Sequence, residues 1–169
     1  MCGLMMAMFG LGGCAADPRS GYSFNTTFPK DVQTVAVPIF QNTSTTVGVE
    51  AEVTEAIIKE LQRQSSMKVV GTEGSGADSL LRGVITNVQM RHLSVRAATG
   101  LIQELSYQIT IDFDWKDERT GKLIVSRRNF TATDTFVPAT GVGEPIEVGQ
   151  HATAQRLGRD VVNEMRSAW

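Results

Sequence analysis

The sequence predicts an α+β fold: a two-layer sandwich with two helices packed on one face of a mainly antiparallel sheet of four strands or slightly more. Apolar residues recur at helical spacing in two segments, and three long segments between them alternate apolar with polar residues. Since the chain order is strand, helix, strand meander and helix, the elements are arranged as in two-layer α+β folds.

The first predicted elements are a strand over residues 32–40 and a helix over residues 49–64. In the strand, Val35, Val37 and Ile39 share one face, and Pro38 indicates a strand that lies at an edge or stops there. The helix is predicted from an apolar stripe that consists of Val49, Val53, Ile57 and Leu61.

A short strand over residues 67–70 is predicted to precede the meander, which consists of residues 80–91, 101–115 and 122–134. Residues 117–121 have the composition of a hairpin turn. The segments exceed the usual five or six residues of a strand, so we expect the meander to extend beyond the helices. The middle segment is the clearest, and its apolar face consists of Leu105, Tyr107, Ile109, Ile111, Phe113 and Trp115.

Pro145 is well placed to open a terminal helix, because proline is favoured in the first helical turn. Its predicted apolar stripe consists of Val148, Ala152, Leu157, Val161 and Met165. Residues 32–169 are therefore interpreted as one domain, a size that can bury a substantial core.

The N-terminus indicates a bacterial lipoprotein processing site. A short apolar run ends at Gly12 and Gly13, which are small enough for a peptidase cleft, and Cys14 follows. Residues 1–13 are then a signal peptide cleaved after Gly13, Cys14 is lipidated, and residues 14–31 form a tether. The apolar run is too short to span a bilayer, so attachment to the membrane has to come from lipid.

Two observations leave alternatives to this interpretation open. No Lys or Arg precedes Arg19, although a secretory leader normally begins with basic residues, which leaves open a start upstream of Met1. Cys2 and Cys14 are also compatible with a disulfide, or with two thiols in an unstructured N-terminus.

Charge and composition exclude several classes of function. The chain has 16 Lys and Arg against 18 Asp and Glu, so no broad basic field is available for a nucleic-acid partner. Beyond Cys14 it has no cysteine, and its two histidines, His92 and His151, have no ligand partners at metal-site spacing. No metal and no cofactor is expected. Neither histidine has an identifiable nucleophile partner, so the chain is not expected to be an enzyme.

The chain resembles the lipopolysaccharide-assembly lipoprotein family (LptE-like). The likeness is carried by the site at Cys14, by residues 21–24, 35–42 and 77–83, by the predicted first helix and by the long alternating strands. The resemblance implies a two-helix, four-stranded sandwich anchored in the inner leaflet of the outer membrane. It also implies that the protein sits inside a large β-barrel partner and helps lipopolysaccharide pass outward.

Five basic residues are candidates for contact with lipopolysaccharide, because guanidinium groups pair with phosphates in a bidentate manner. Arg91, His92 and Arg96 follow one another where a long strand ends, and Arg127 and Arg128 are expected on its neighbour. The alternative is that all five are ordinary solvated charges.

The leading hypothesis from the sequence is an outer-membrane lipoprotein that faces the periplasm and acts as the plug or accessory subunit of a β-barrel lipopolysaccharide translocon. A free-standing periplasmic binding or scaffold lipoprotein without a barrel partner is the second. A small envelope hydrolase is a third class, and it would need a paired nucleophile and base that the sequence does not offer.

Overall fold

The computed structural model describes residues 32–71, 74, 76–95, 102–137 and 146–168. It has six strands and two helices in this part of the chain. In chain order they are β1 (Thr34–Ala36), β2 (Gln41–Asn42), α1 (Val49–Gln64), β3 (Lys68–Val70), β4 (Ser79–Val95), β5 (Ile102–Asp117), β6 (Leu123–Phe136) and α2 (Ile146–Ser167).

The α+β class with two helices is confirmed, whereas the sheet, expected to be mainly antiparallel with four strands or slightly more, is mixed and has six strands. The sheet has six strands in the order β3-β1-β4-β5-β6, with β2 also paired to β4. β1 runs parallel to β3 and β4, and β2 runs parallel to β4, whereas β4, β5 and β6 are antiparallel. The sheet is mixed because α1 supplies the long crossover that a parallel pair such as β1 and β3 requires.

The predicted first strand ends early, as Pro38 had indicated. β1 stops at Ala36, and the chain pairs again only at Gln41, where β2 lies beside Val84 of β4. Proline has no N–H to donate to a neighbouring strand, so pairing is interrupted around it. The two short strands replace the single nine-residue strand expected from the sequence.

The predicted alternation of β5 is confirmed. Its six alternating apolar residues, from Leu105 to Trp115, are all buried on the face of the sheet that we call the inner face. All of them except Leu105 belong to one core cluster with the buried apolar residues of both helices. The two helices approach closely where Gly158 of α2 faces the backbone of Ala56 in α1.

The apolar stripe of α2 differs from the predicted one. Val148 is 43% exposed and Ala152 is only partly buried. At about 100° per residue, these two positions point well away from the side of the helix that carries Ala154. The buried apolar residues of the helix are Ala154, Leu157, Val161, Val162 and Met165.

The far end of the meander extends beyond the helices, as its length had indicated. Met90 lies on the inner face opposite Tyr107, yet it is 42% exposed, whereas Tyr107 is buried. Neither of the helices in the described ranges is long and apolar enough to cross a membrane.

Candidate functional site

The candidate site is the outer face of the sheet, which points away from the helices. Because side chains alternate along a strand, every polar residue of the alternating β5 pattern lies on this face. Two of these residues, Ser106 and Thr110, are buried, and the Thr110 hydroxyl lies 3.2 Å from that of Thr131 on β6. The outer face is therefore polar along β5, and the contact with Thr131 continues the polar surface onto β6.

A cleft of about 410 Å³ lies at one end of the outer face. One wall is the chain between β1 and β2, where the interruption at Pro38 leaves Ile39 69% exposed. The floor is formed by β4, β5 and β6. The lining residues are Pro38, Ile39, Gln41, Arg82, Gly83, Val84, Asp112, Asp114 and Arg128.

A bidentate ion pair lies at the floor of this cleft. The Arg128 Nη1 and Nη2 atoms donate to Asp114 Oδ1 and Oδ2, both at 2.9 Å. Hydrogen bonding from Arg128 holds the pKa of Asp114 below its usual value, and the charge of Arg82, opposite Asp114 in the β4–β5 register, acts in the same direction. The same pairing raises the pKa of Arg128. Asp114 is therefore ionised near neutral pH.

Asp112, the second carboxylate of the cleft, accepts a hydrogen bond at 2.8 Å from the backbone N–H of Asn129. Asn129 has a φ of 53°, and the β5–β6 register shifts there, so this contact sits at a β-bulge. With two guanidinium groups and two carboxylates, the floor of the cleft is charged in both senses and close to neutral overall. Such a floor suits a polar or zwitterionic partner surface better than a polyanion.

The two arginines that were expected to act together lie on opposite faces of β6. Arg128 lies on the outer face, whereas Arg127 reaches the inner side and pairs with Glu164 of α2, with Nη2 and Oε2 2.7 Å apart. Consecutive side chains of a strand point to opposite faces, so adjacency in sequence does not produce one site here.

Arg91 and His92 are separated in the same way. Arg91 lies opposite Ser106 on the outer face and donates to Gln89 at 2.9 Å, whereas His92 lies opposite Leu105 on the inner face and is exposed. β5 lies between β4 and β6, so the strand that carries Arg127 and Arg128 is not the direct neighbour of β4. Arg128 lies at the bulge opposite Asp112, which is six positions from Ser106 along β5, so Arg91 and Arg128 are about 20 Å apart along the strand.

The remaining predicted site residues lie outside the described residues. These are Gly13 and Cys14 at the processing site, and Arg96. The expectation that the five basic residues contact lipopolysaccharide stays a prediction.

Sequence reasoning missed the contributions of Arg82 and Ile39 to the cleft. Arg82 belongs there because β4 pairs with β5 in a register that sets it opposite Asp114. Gly83 was the one indication of this arrangement in the sequence, because a Cβ at this position would lie 2.0 Å from the ring of Phe40. The glycine lets the chain between β1 and β2 lie close to β4, but its meaning depends on a parallel pairing that the sequence did not reveal.

The two histidines lie on different elements of the fold, His92 on β4 and His151 on α2. Among the described residues, no three His, Cys, Asp or Glu side chains are placed to hold a metal ion. His151 Nδ1 lies 2.8 Å from Glu52 Oε1, and its Nε2 lies 2.7 Å from the Gln155 amide. This imidazole therefore takes part in contacts between α1 and α2.

The fold and the outer face together define a class of protein: a two-layer α+β domain that covers one sheet face with helices and presents the other as a polar surface. Residues 32–168 match the LptE family, which is described as lipopolysaccharide-assembly, and the chain belongs to this family. Comparison with curated protein sequences gives no significant match.

Solved structures with this fold come from several bacteria. A hypothetical protein from Chlamydia trachomatis is 12% identical with a TM-score of 0.59, and the alignment covers 81% of this chain and 97% of that chain. The PelC dodecamer from Paraburkholderia phytofirmans is 16% identical with a TM-score of 0.53, with coverage of 82% and 92%. A protein from Xanthomonas campestris is 9% identical with a TM-score of 0.53, with coverage of 81% and 85%. At these identities the likeness shows the fold alone.

Proposed function

We propose that this protein is an outer-membrane lipoprotein that acts without enzymatic activity as the plug or accessory subunit of a β-barrel lipopolysaccharide translocon. The observation that carries the proposal is membership of the lipopolysaccharide-assembly family over the whole described domain. The N-terminal sequence supports the lipoprotein part, because Cys14 follows a short apolar run that ends in two small residues.

The outer face supports a role in binding to a polar wall. It is polar along β5, and no described helix covers it. The lumen of a membrane barrel is polar, so a polar sheet face fits such a wall without burying unpaired apolar surface. Binding and shape, rather than bond chemistry, would then be how the protein acts on the passage of lipopolysaccharide.

The proposal is tested by purifying the tagged chain from outer membranes and identifying any β-barrel protein that is recovered with it. We expect a large β-barrel protein to co-purify with the wild type. Gln108→Arg, which places a new charge in the middle of the outer face, is expected to reduce its recovery, because an unpaired charge at an interface is costly. Gln62→Arg, on the exposed side of α1, is the matched control and should leave recovery unchanged.

Depletion of the protein provides the second arm of the test. Loss of lipopolysaccharide from the cell surface is expected if the proposal is right. Absence of any barrel protein in the purification, together with unchanged surface lipopolysaccharide, would contradict the translocon role and favour a free-standing periplasmic scaffold.

A further inference from the structure

The cleft on the outer face owes its shape to an extra residue in the chain between β1 and β2. From the pair Ala36–Leu80 to the pair Gln41–Val84, this chain advances by five residues while β4 advances by four. An extra residue on one strand is the arrangement of a β-bulge, which bends the chain and redirects a side chain. Here it leaves Ile39 69% exposed at the wall of the cleft. The polar outer face therefore carries one apolar contact point beside its cleft.

The floor of the cleft favours an occupant without a net charge. Asp114 and Arg128 form a bidentate pair there, and Asp112 and Arg82 add one charge of each sign. A charged group that entered the cleft would lose hydration and would meet charges of its own sign as well as of the opposite sign. Backbone amides and uncharged polar side chains can instead donate to carboxylates and accept from guanidinium groups. The cleft thus fits an uncharged polar segment that brings an apolar side chain to Ile39.

The cleft lies at the end of the domain that the N-terminal segment joins. Ser79 pairs with Val35, three residues after the first described residue, and Arg82 is about 10 Å further along β4. The opposite end of β4, at Val95, is about 43 Å from Arg82 along the strand. If Cys14 carries the anchor, the chain from the membrane enters the domain at the cleft end. The cleft then lies at the periplasmic mouth of a barrel partner.

Transmembrane β-barrels have short turns at the periplasmic mouth, longer loops at the other end, and apolar and aromatic residues near the ends of their strands. Turns built from glycine, asparagine, serine and proline present uncharged polar groups. We propose that the cleft holds a periplasmic turn of the β-barrel partner. An apolar residue of the adjoining strand end packs on Ile39, and the turn hydrogen-bonds to the charged floor. This proposal rests on the proposed function and specifies the part of the barrel that the domain holds.

Site-specific photo-cross-linking in cells tests the contact. The tagged, full-length chain carries benzoylphenylalanine in place of Ile39, and the products are recovered from outer membranes. We expect a product with the combined mass of the chain and the barrel protein, and peptide mapping should place the cross-link in a periplasmic turn. Val47 is the matched control, because it is also aliphatic and 89% exposed but does not line the cleft. The same probe at position 47 should not cross-link to that turn.

Recovery of the barrel protein with charged variants supplies a second measurement. Ile39→Asp removes the apolar contact and gives the cleft a net negative charge. We expect recovery to fall about tenfold or more, as for the loss of one buried aliphatic side chain. Val47→Asp should recover the barrel protein as the wild type does. Both residues are exposed, so circular dichroism melts of the two variants should match the wild type and exclude loss of folding as the cause.

The two readouts distinguish failure of this proposal from failure of the proposed function. The barrel protein can be recovered with the wild type while the probe at position 39 gives no cross-link to it, or one that maps to an extracellular loop or to the middle of a strand. The cleft then holds no periplasmic turn, although the plug role stands. Wild-type recovery with Ile39→Asp would overturn the proposal in the same way. If no barrel protein is recovered with the wild type, the proposed function is wrong and this proposal falls with it.

Discussion

At the scale of single residues, Asp78 connects the start of β4 to β1. Its Oδ2 atom accepts hydrogen bonds from the Gln33 and Thr34 backbone N–H groups, both at 2.9 Å, and from the Thr34 hydroxyl at 3.0 Å. The backbone donor of Gln33 is the largest of the causes that hold the pKa of Asp78 below its usual value. Asp78 therefore secures the parallel pairing of two strands that share only two paired positions.

We predict that Asp78→Asn lowers the thermal unfolding midpoint at pH 7 and that the difference from wild type narrows in acid. The folded state lowers the pKa of Asp78. The stabilisation that the ionised carboxylate contributes is therefore fully present above its pKa in the unfolded state, about 4, and is lost as the pH falls through its lower pKa in the folded state. Circular dichroism melts between pH 7 and pH 3 measure this. Glu118→Gln is the control, because Glu118 forms an exposed pair with Lys116 and should have little effect. A difference that does not change with pH would contradict the prediction.

The Arg128–Asp114 pair of the cleft is expected to contribute little to stability. Both side chains are more than a third exposed, and exposed pairs typically contribute about 0.2–1 kcal/mol. A double-mutant cycle with Arg128→Ala and Asp114→Ala, measured by chemical denaturation, should give a coupling energy in this range. A coupling of several kcal/mol would show that the cleft floor is part of what stabilises the fold.

At the scale of elements, the contact between the two helices depends on Gly158. A Cβ at this position would lie 2.9 Å from the carbonyl carbon and oxygen of Ala56, closer than side chains normally approach a backbone. A neighbouring helix backbone cannot move as freely as a side chain. The position therefore requires glycine for the close approach of α1 and α2.

We predict that Gly158→Ala destabilises the protein by about 1–3 kcal/mol through overpacking, although alanine is the better helix former by about 1 kcal/mol. Gly71→Ala is the matched control, since no atom lies within 4 Å of the added Cβ and its φ is not in the left-handed region. Chemical denaturation should show a loss for the first variant and little change for the second. A Gly158→Ala variant as stable as wild type would mean that the two helices can move apart without lowering the free energy of unfolding.

The elements also show where sequence reasoning succeeds. The helix α1 has the predicted bounds, and β5 has the predicted buried row, because each pattern is local and repeats over many residues. β1 and β2 have three and two residues, too few to display a period, and their parallel pairing with β4 depends on a crossover of distant segments. The bulge at Asn129, which brings the backbone N–H of Asn129 to Asp112, leaves no comparable pattern in the sequence.

At the scale of the whole molecule, the sequence predicts a membrane anchor in front of a domain whose described helices are not long and apolar enough to span a membrane. The family assignment begins at residue 32, after the segment interpreted as leader and tether. If Cys14 carries the anchor, membrane attachment depends on one side chain outside the folded domain.

We predict that Cys14→Ala abolishes incorporation of a fatty-acid probe and releases the protein from the outer-membrane fraction. Each buried methylene of an acyl chain contributes about 0.8 kcal/mol, and stable anchoring takes more than one chain, so removing the acceptor thiol removes nearly all of the membrane affinity. Metabolic labelling and membrane fractionation measure the two effects. Cys2→Ala is the control, and it should label and fractionate as wild type does, because Cys2 precedes the predicted cleavage site. Equal labelling of wild type and Cys14→Ala would refute the lipoprotein interpretation.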